Sequence, residues 1–263
     1  MREIAVTTSN ANKLITPLET IDAICAAGFK NIFIEWYNKD WEISQEEQLN
    51  YIRSKGLNIV FAHLGYQKIN DLWLDNEIGK GHVERFKNDI RICKENGIDL
   101  VVMHLTSKDV APSCSEVGLN RLKEIVSYAS ELGVKVAFEN TKIKGYQEYV
   151  IENIVEAGIC FDSGHYHAHF NDELDFNLFK DKIFAVHLHD NHGSSDEHLL
   201  PFDGTLDWEY IMKELKKNHY EGPITMELVY RNDYLEMSPV EFYKKGYEMG
   251  EKLLRMMDYE DCL

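Results

Sequence analysis

Six side chains able to bind a divalent metal fall at or near the ends of six successive short apolar runs: His63, His104, Glu139, Asp162, His187 and Glu227. Imidazole nitrogen mixed with carboxylate oxygen is the donor set that hard and borderline divalent ions take. Carboxylates brought together without a cation would repel one another. Any one of the six reads equally well as a polar residue at a strand end; the six together read as a metal site. The stretch FDSGHYHAHF (161–170) sets three further histidines two residues apart. Of these groups Asp162 and His165, an i, i+3 pair leaving a strand end, are expected at the site. His167 and His169 read as loop or helix-start residues, and His82 and His219 as solvated. Strand alternation sends His189 to the same side as His187, within reach of a pocket. Asp190 reads as a supporting or capping residue.

The elements that must position these groups recur with a regular rhythm. Apolar, β-branched runs occur at 4–8, 31–36, 57–64, 100–105, 135–140, 159–163, 183–190 and 223–229. Near-continuous runs of this kind suit parallel strands covered on both faces. A helical pattern follows each, as in 18–28, 44–56 and 119–133; in the last, Leu122, Ile125, Val126, Ala129 and Leu132 share one face. Gly28, Gly56, Gly97, Gly133 and Gly158 are expected just past helix ends, where a positive φ is wanted. Eight strand–helix units predict an α/β fold, a (β/α)8 barrel, as one domain over residues 1–263. In that fold the C-terminal strand ends line one mouth. An open doubly wound sheet is the rival, but no glycine-rich phosphate loop follows the first run (TTSNANK). The tail MMDYEDCL reads as a frayed end.

With 28 Lys and Arg against 45 Asp and Glu, the formal charge is 28 − 45 = −17. A surface this acidic repels phosphate backbones and anionic membranes, so neither nucleic acid nor membrane is an expected partner. No run of 18 apolar residues occurs, and the start MREIAVTTS lacks the apolar core of a signal peptide. Five scattered cysteines without a CxxC pair fit a reducing, cytoplasmic setting. Trp36, Tyr66, Trp73 and Phe202, on strand-to-helix loops, offer walls for a sugar's apolar face or simple loop packing. Lys142 and Arg231 offer partners for a substrate phosphate or carboxylate, or are surface charges.

The segment HLHDNHGSSDEHLLPFDGTLDW (187–208), with FEN (138–140), FDSGH (161–165) and TMEL (225–228), resembles the xylose isomerase-like barrel superfamily. That superfamily includes sugar isomerases and epimerases and the apurinic endonuclease IV family. The resemblance spans almost the whole chain. It implies Glu139, Asp162, His187 and Glu227 as the ligands of one divalent ion (Mn²⁺, Zn²⁺ or Mg²⁺). It also implies an isomerase or epimerase acting on a sugar, sugar phosphate, ketose or polyol ketone through an enediolate. Glu139 and Glu227 would be the acid/base pair, and His165 would orient a substrate oxygen. The endonuclease IV pattern adds His63, His104, His165, Asp196 and His198 as further ligands, for up to three ions, so a zinc phosphodiesterase is the alternative. A second strand ending in EWYN departs from that pattern. A non-catalytic metal- or sugar-binding barrel is the third possibility. The expected partner is a small carbohydrate-like molecule, and an oligomer is compatible with all three.

Overall fold

Each apolar run folds as a strand and each following amphipathic stretch as a helix. The structure, a computed structural model, describes residues 2–9, 14–36, 43–170 and 174–258. The strands are β1 (Ile4–Thr7), β2 (Asn31–Trp36), β3 (Asn58–Leu64), β4 (Leu100–His104), β5 (Lys135–Glu139), β6 (Gly158–Asp162), β7 (Ile183–His187) and β8 (Ile224–Met226). The helices between and after them are α1 (Pro17–Ala26), α2 (Gln45–Ser54), α3 (Glu77–Glu95), α4 (Glu116–Glu131), α5 (Tyr146–Asn153), α6 (Ser163–His169), α7 (Trp208–Lys217) and α8 (Pro239–Asp258).

The strands pair in parallel in the order β7-β6-β5-β4-β3-β2-β1-β8. The two outer strands then meet. Leu188 bridges Met226, its N–H donating to the Thr225 carbonyl at 2.9 Å, and the Glu227 N–H donates back to the Leu188 carbonyl at 3.2 Å. The sheet is a nearly closed (β/α)8 barrel. Helix starts are set locally. Thr16 with Glu19, and Ser44 with Glu47, form capping boxes in which side chain and backbone satisfy each other's N–H groups. On α4 the expected stripe of Leu122, Ile125, Val126 and Ala129 is buried.

The barrel interior explains the site. Phe33, Phe61, Val102, Ala137, Cys160 and Ala185 form an apolar layer across the barrel. Because successive side chains alternate faces, the residues two positions on point into the same interior one layer higher. Those are Glu35, His63, His104, Glu139, Asp162 and His187. A floor of hydrocarbon thus carries a ring of imidazoles and carboxylates at the C-terminal mouth.

Some expectations are corrected. β7 stops at His187, not at 190, and the chain turns so that Asp190 pairs antiparallel with Leu199. β8 stops at Met226, which leaves Glu227 one residue beyond the strand. Gly28, Gly56, Gly97 and Gly133 have positive φ, but Gly158 does not. It opens β6, and a Cβ there would stand 2.0 Å from the Phe184 ring, so close packing is what requires glycine. His82 is buried in α3, its Nε2–H donating to the Lys68 carbonyl at 2.9 Å; His219 is exposed and pairs with Asp181. The tail begins inside α8, where Met257 is buried; residues 259–263 lie outside the described residues. Among the described residues no helix is long and apolar enough to cross a membrane.

Candidate metal centre

Glu139, the last residue of β5, is the hub. Its Oε2 lies 2.9 Å from His63 Nε2 and 3.1 Å from His104 Nε2. Its Oε1 lies 3.2 Å from His165 Nδ1 and 3.4 Å from His187 Nδ1. His187 Nδ1 also faces Glu227 Oε2 at 3.2 Å and Asp162 Oδ2 at 3.7 Å. One donor atom from each of Glu139, Asp162, His187 and Glu227 falls within 4.8 Å of the others, close enough to share one ion. His63, Glu139 and His187 form a second such group, and His189, Asp196 and His198 a third.

Local structure holds each donor. Asp162 ends β6 and caps α6, its Oδ1 accepting the His165 N–H at 2.6 Å. Asn140, one residue past β5, clamps the Asp162 backbone, donating to its carbonyl at 2.8 Å and accepting its N–H at 2.7 Å. Asp190 is buried and organises the long loop after β7. It accepts from the backbone N–H of Phe202 and Leu206 and from the Trp208 ring N–H, at 3.0, 3.1 and 2.8 Å. That loop carries Asp196 and His198 over the mouth. His198 Nδ1–H donates to the Glu227 carbonyl at 3.2 Å, which turns Nε2 to Asp196 at 3.1 Å. His165 Nε2 meets the same Asp196 oxygen at 3.3 Å.

The donors suit a cation better than they suit one another. Buried nitrogens left without a hydrogen bond include both of His187 and the Nδ1 atoms of His63, His165 and His189. Unpaired buried polar atoms are costly and rare, and several converging on carboxylates mark a place prepared for an ion. Burial alone would raise Glu139, but the surrounding His187, His104 and His165 hold it well below the usual carboxylate range. Burial also opposes ionisation of Glu227, and His187 and His198 hold it low. Conversely, burial works to lower His187, while Cys160, Glu139 and Glu227 raise it well above an ordinary imidazole. His198, lowered by burial, is lifted by Asp196 to about 9.

Above these groups lies a cavity of about 340 Å³. Seven of the nine residues expected as ligands line it, and the other two, Asp162 and His187, lie buried against them. Trp36, one residue past the inward-facing Glu35, turns its buried ring outward to Asp89 on α3, whereas Tyr66 lines the cavity as expected, stacked on His104 (ring centroids 4.1 Å apart). The other two aromatics do not. Trp73 is buried in a 3-10 turn, its ring N–H donating to the Leu105 carbonyl, and Phe202 packs on Trp208 beneath Lys252. Lys142 pairs with Asp109, and Arg231 with Asp233 and the Glu197 carbonyl, so neither turns to the cavity. His167 bonds Thr205 outside the cluster, whereas His189 is inside it, 3.2 Å from Asp162 Oδ2 and stacked on His198. Glu35, in β2, was not among the expected site residues. It lines the cavity with Oε2 3.7 Å from His63 Nδ1, and burial raises it against the pull of that imidazole. Its signal was the EWYN strand ending, a carboxylate at the same level as the other six.

The chain belongs to the xylose isomerase-like TIM barrel family, whose profile matches residues 21–253. It is 28% identical to the uncharacterized protein y4fM of Sinorhizobium fredii, over 66% of this chain and 61% of that one. It is 26% identical to the inosose isomerase of Bacillus licheniformis (67% and 71% of the two chains). It is also 26% identical to a probable endonuclease 4 of Thermoplasma volcanium (56% and 59%). The match thus spans about three fifths of the length of the first of these relatives. Among solved structures, an IolI protein with a bound zinc atom superposes with a TM-score of 0.79 at 16% identity, over 98% of this chain and 100% of that one. A D-tagatose 3-epimerase-like protein does so with 0.74 at 20%, over 97% and 98%. The named relatives are mostly enzymes, and these structures share the fold.

Proposed function

We propose that this protein is a divalent-metal-dependent isomerase or epimerase of a sugar or polyol ketone. The observation that carries the proposal is the placement of Glu139 and Glu227, which both reach His187 Nδ1, at 3.4 and 3.2 Å, beneath a cavity of small-molecule size. Taking a proton from the carbon beside a carbonyl and returning one elsewhere needs two positioned groups of this kind. An ion held by Glu139, Asp162, His187 and Glu227 would supply Lewis acidity at the substrate's oxygens and let the carboxylates stand together. Glu139 and Glu227 then exchange the proton with the substrate, whose electrons pass into an enediolate. His165, between Glu139 and Asp196, orients a substrate hydroxyl. Tyr66 walls the cavity and shields the reacting carbon from water. The inosose isomerase and epimerase-like relatives support this reading. Free Cys25, Cys93, Cys114 and Cys160 suit a reducing, cytoplasmic setting. The test is incubation of the protein, loaded with Mn²⁺, Zn²⁺ or Mg²⁺, with ketoses and inositol ketones in deuterated water. Deuterium should enter at the carbon beside the carbonyl of at least one. Absence of exchange across the panel would overturn the proposal.

One observation favours a second reading. His63 and His104 converge on Glu139 Oε2 while His165 and His198 converge on Asp196, so donors for a second and third ion stand ready. That set suits a phosphodiesterase of the endonuclease 4 kind, in keeping with the probable endonuclease 4 relatives. The charge of −17 counts against a duplex substrate. Cleavage of an abasic duplex that survives raised salt, with two or three ions per chain, would put this reading first.

A further inference from the structure

His82 is a buried histidine outside the metal centre, and its surroundings fix its state. Its Nε2 faces the Lys68 carbonyl at 2.9 Å. A carbonyl can only accept, so Nε2 carries the proton. Its Nδ1 faces the Arg85 guanidinium at 3.2 Å. A guanidinium can only donate, so Nδ1 is bare. Only the neutral imidazole, in this one tautomer, satisfies both partners. Burial holds its pKa below the ordinary imidazole value, and Arg85 and Arg121 add to that against the Lys68 carbonyl and Asp71. Arg85 is itself fixed from behind. Its Nη1 lies 3.8 Å from Asp89 Oδ2, and its guanidinium carbon stands 4.1 Å over the Phe86 ring. The buried Asp89 accepts the Trp36 ring N–H from the end of β2. A polar line thus runs along α3, from Asp89 through Arg85 to His82, and joins the end of β2 to the loop after β3.

That loop carries Tyr66. The Tyr66 ring is 42% exposed, so packing holds only part of it. It lies on His104 with planes 10° from parallel, and edge-on to His63 at 6.0 Å. Two residues further on, Lys68 has a left-handed φ of 58°, which is unfavourable for a residue with a Cβ. Its carbonyl receives the Asp71 N–H at 3.0 Å as well as the His82 Nε2–H. At the other end of the loop, a Cβ on Gly65 would stand 3.4 Å from Arg85 Nη1 and 3.4 Å from the Trp36 carbonyl. Both ends of the loop therefore rest on the same polar line.

We propose that His82 is a positioning residue for the cavity wall: from outside the barrel it holds the left-handed turn at Lys68, and so lays Tyr66 on His104. Arg85 is its partner, locking the tautomer that donates to Lys68. This role is independent of which reaction the cavity carries out.

The experiment is NMR of the full chain with isotopically labelled histidine and tyrosine, the Tyr66 signals being assigned by their loss in Tyr66→Phe. At neutral pH His82 should show a protonated Nε2 and a bare Nδ1. The Tyr66 ring protons should lie upfield, shielded by the face of His104. His82→Leu keeps an apolar group in the core but neither hydrogen bond. In it the Tyr66 signals should move back towards those of a free tyrosine. Amide exchange at Ile69 and Asp71, whose N–H groups donate to the Tyr66 and Lys68 carbonyls, should quicken by about tenfold, the worth of one hydrogen bond. His82→Gln restores one donor and one acceptor and should recover both readouts. Arg85→Met, at a half-buried site, carries the same test should His82→Leu fail to fold. It should lose the single tautomer and move the Tyr66 signals in the same direction. An imidazolium or the opposite tautomer at His82 would overturn the assignment. Tyr66 signals that stay in place in His82→Leu and Arg85→Met would overturn it too. A His82→Gln that behaves as His82→Leu would reduce His82 to a packing residue.

Discussion

The imidazole of His187 lies flat on the ring of Phe33, with centroids 4.9 Å apart and planes 9° from parallel. Phe61 stacks on it at 5.7 Å. The hydrocarbon floor therefore orients the one histidine that faces Glu139, Asp162 and Glu227 together. Two variants separate its structural from its orienting role. Phe33→Ala should cost about 3–5 kcal/mol in chemical denaturation, the usual range for removing a buried phenyl ring. Phe33→Leu, which keeps most of the volume, should fold but bind a divalent ion about 10–100-fold more weakly, as when a supporting partner of a ligand histidine is lost. A competition titration with a chelating dye reads this. An unaltered affinity in Phe33→Leu would show that the stack packs the ring without aiming it.

Asp162 serves two ends at once. It caps α6 through the His165 N–H, and it stands among the converging carboxylates. Asp162→Ala loses the cap, worth about 1 kcal/mol, and relieves repulsion within the cluster. The metal-free melting temperature should therefore move little, while the rise in melting temperature on adding Mn²⁺ or Zn²⁺ should vanish. A rise as large as in the unaltered protein would remove Asp162 from the ligand set.

The pH dependence follows from opposing shifts. His165 and His187 are lowered by burial but raised further by facing groups, chiefly Asp162 for His165 and Cys160, Glu139 and Glu227 for His187. Imidazoles raised in the folded state stabilise it fully below their unfolded value, and that stability is lost as pH rises through the folded value. Glu139 and Glu227 are depressed, so their contribution is present above the unfolded carboxylate value and lost as pH falls through the folded one. The metal-free protein should be most stable between about pH 4.3 and 6.5, the unfolded values of Glu and His. Metal must displace the imidazole protons, so its apparent affinity should climb with pH. Calorimetry in two buffers of different ionisation heat should detect the released protons. Uptake with no proton release would contradict the assignment of His187 as a ligand.

Much of this was legible in the chain because strand alternation is a short-range signal. His63, His104, Glu139, Asp162 and His187 are strand residues, and each stands two positions beyond a small or apolar residue of the floor. Glu35 obeys the same rule and could have been included from its register alone, since it pairs with His63. His82 lies on the buried stripe of α3 with Val83 and Phe86, so helical spacing also marked it as inside. Asp196 and His198 are another matter. They reach the mouth because Asp190 gathers the loop from Phe202 to Trp208 and because His198 adopts a positive φ of 49°. No local pattern encodes those contacts, and only the resemblance of the DEH segment pointed to them. The role of Gly158 was hidden for the same reason, since the Phe184 ring that excludes a side chain comes from the neighbouring strand.

Glu227 offers the sharpest separation of ligand from base. It lies one residue past β8, held by its N–H to Leu188, with Oε2 3.2 Å from His187 Nδ1. Glu227→Gln keeps an oxygen that can coordinate weakly but removes the carboxylate that accepts a proton. Positioned acid/base groups contribute about 10²–10⁴-fold. With metal content matched by elemental analysis, turnover of a substrate found in the exchange panel should fall by that order, and deuterium incorporation should fall with it. Glu139→Gln should behave alike if the two work as a pair, although His63, His104, His165 and His187 all lean on Glu139, so a loss of metal is expected there as well. If metal-loaded Glu227→Gln kept near-normal turnover and exchange, the proton would have to pass through His165 or His189, both beside Asp162. His165→Gln and His189→Gln would then be the variants in which exchange disappears.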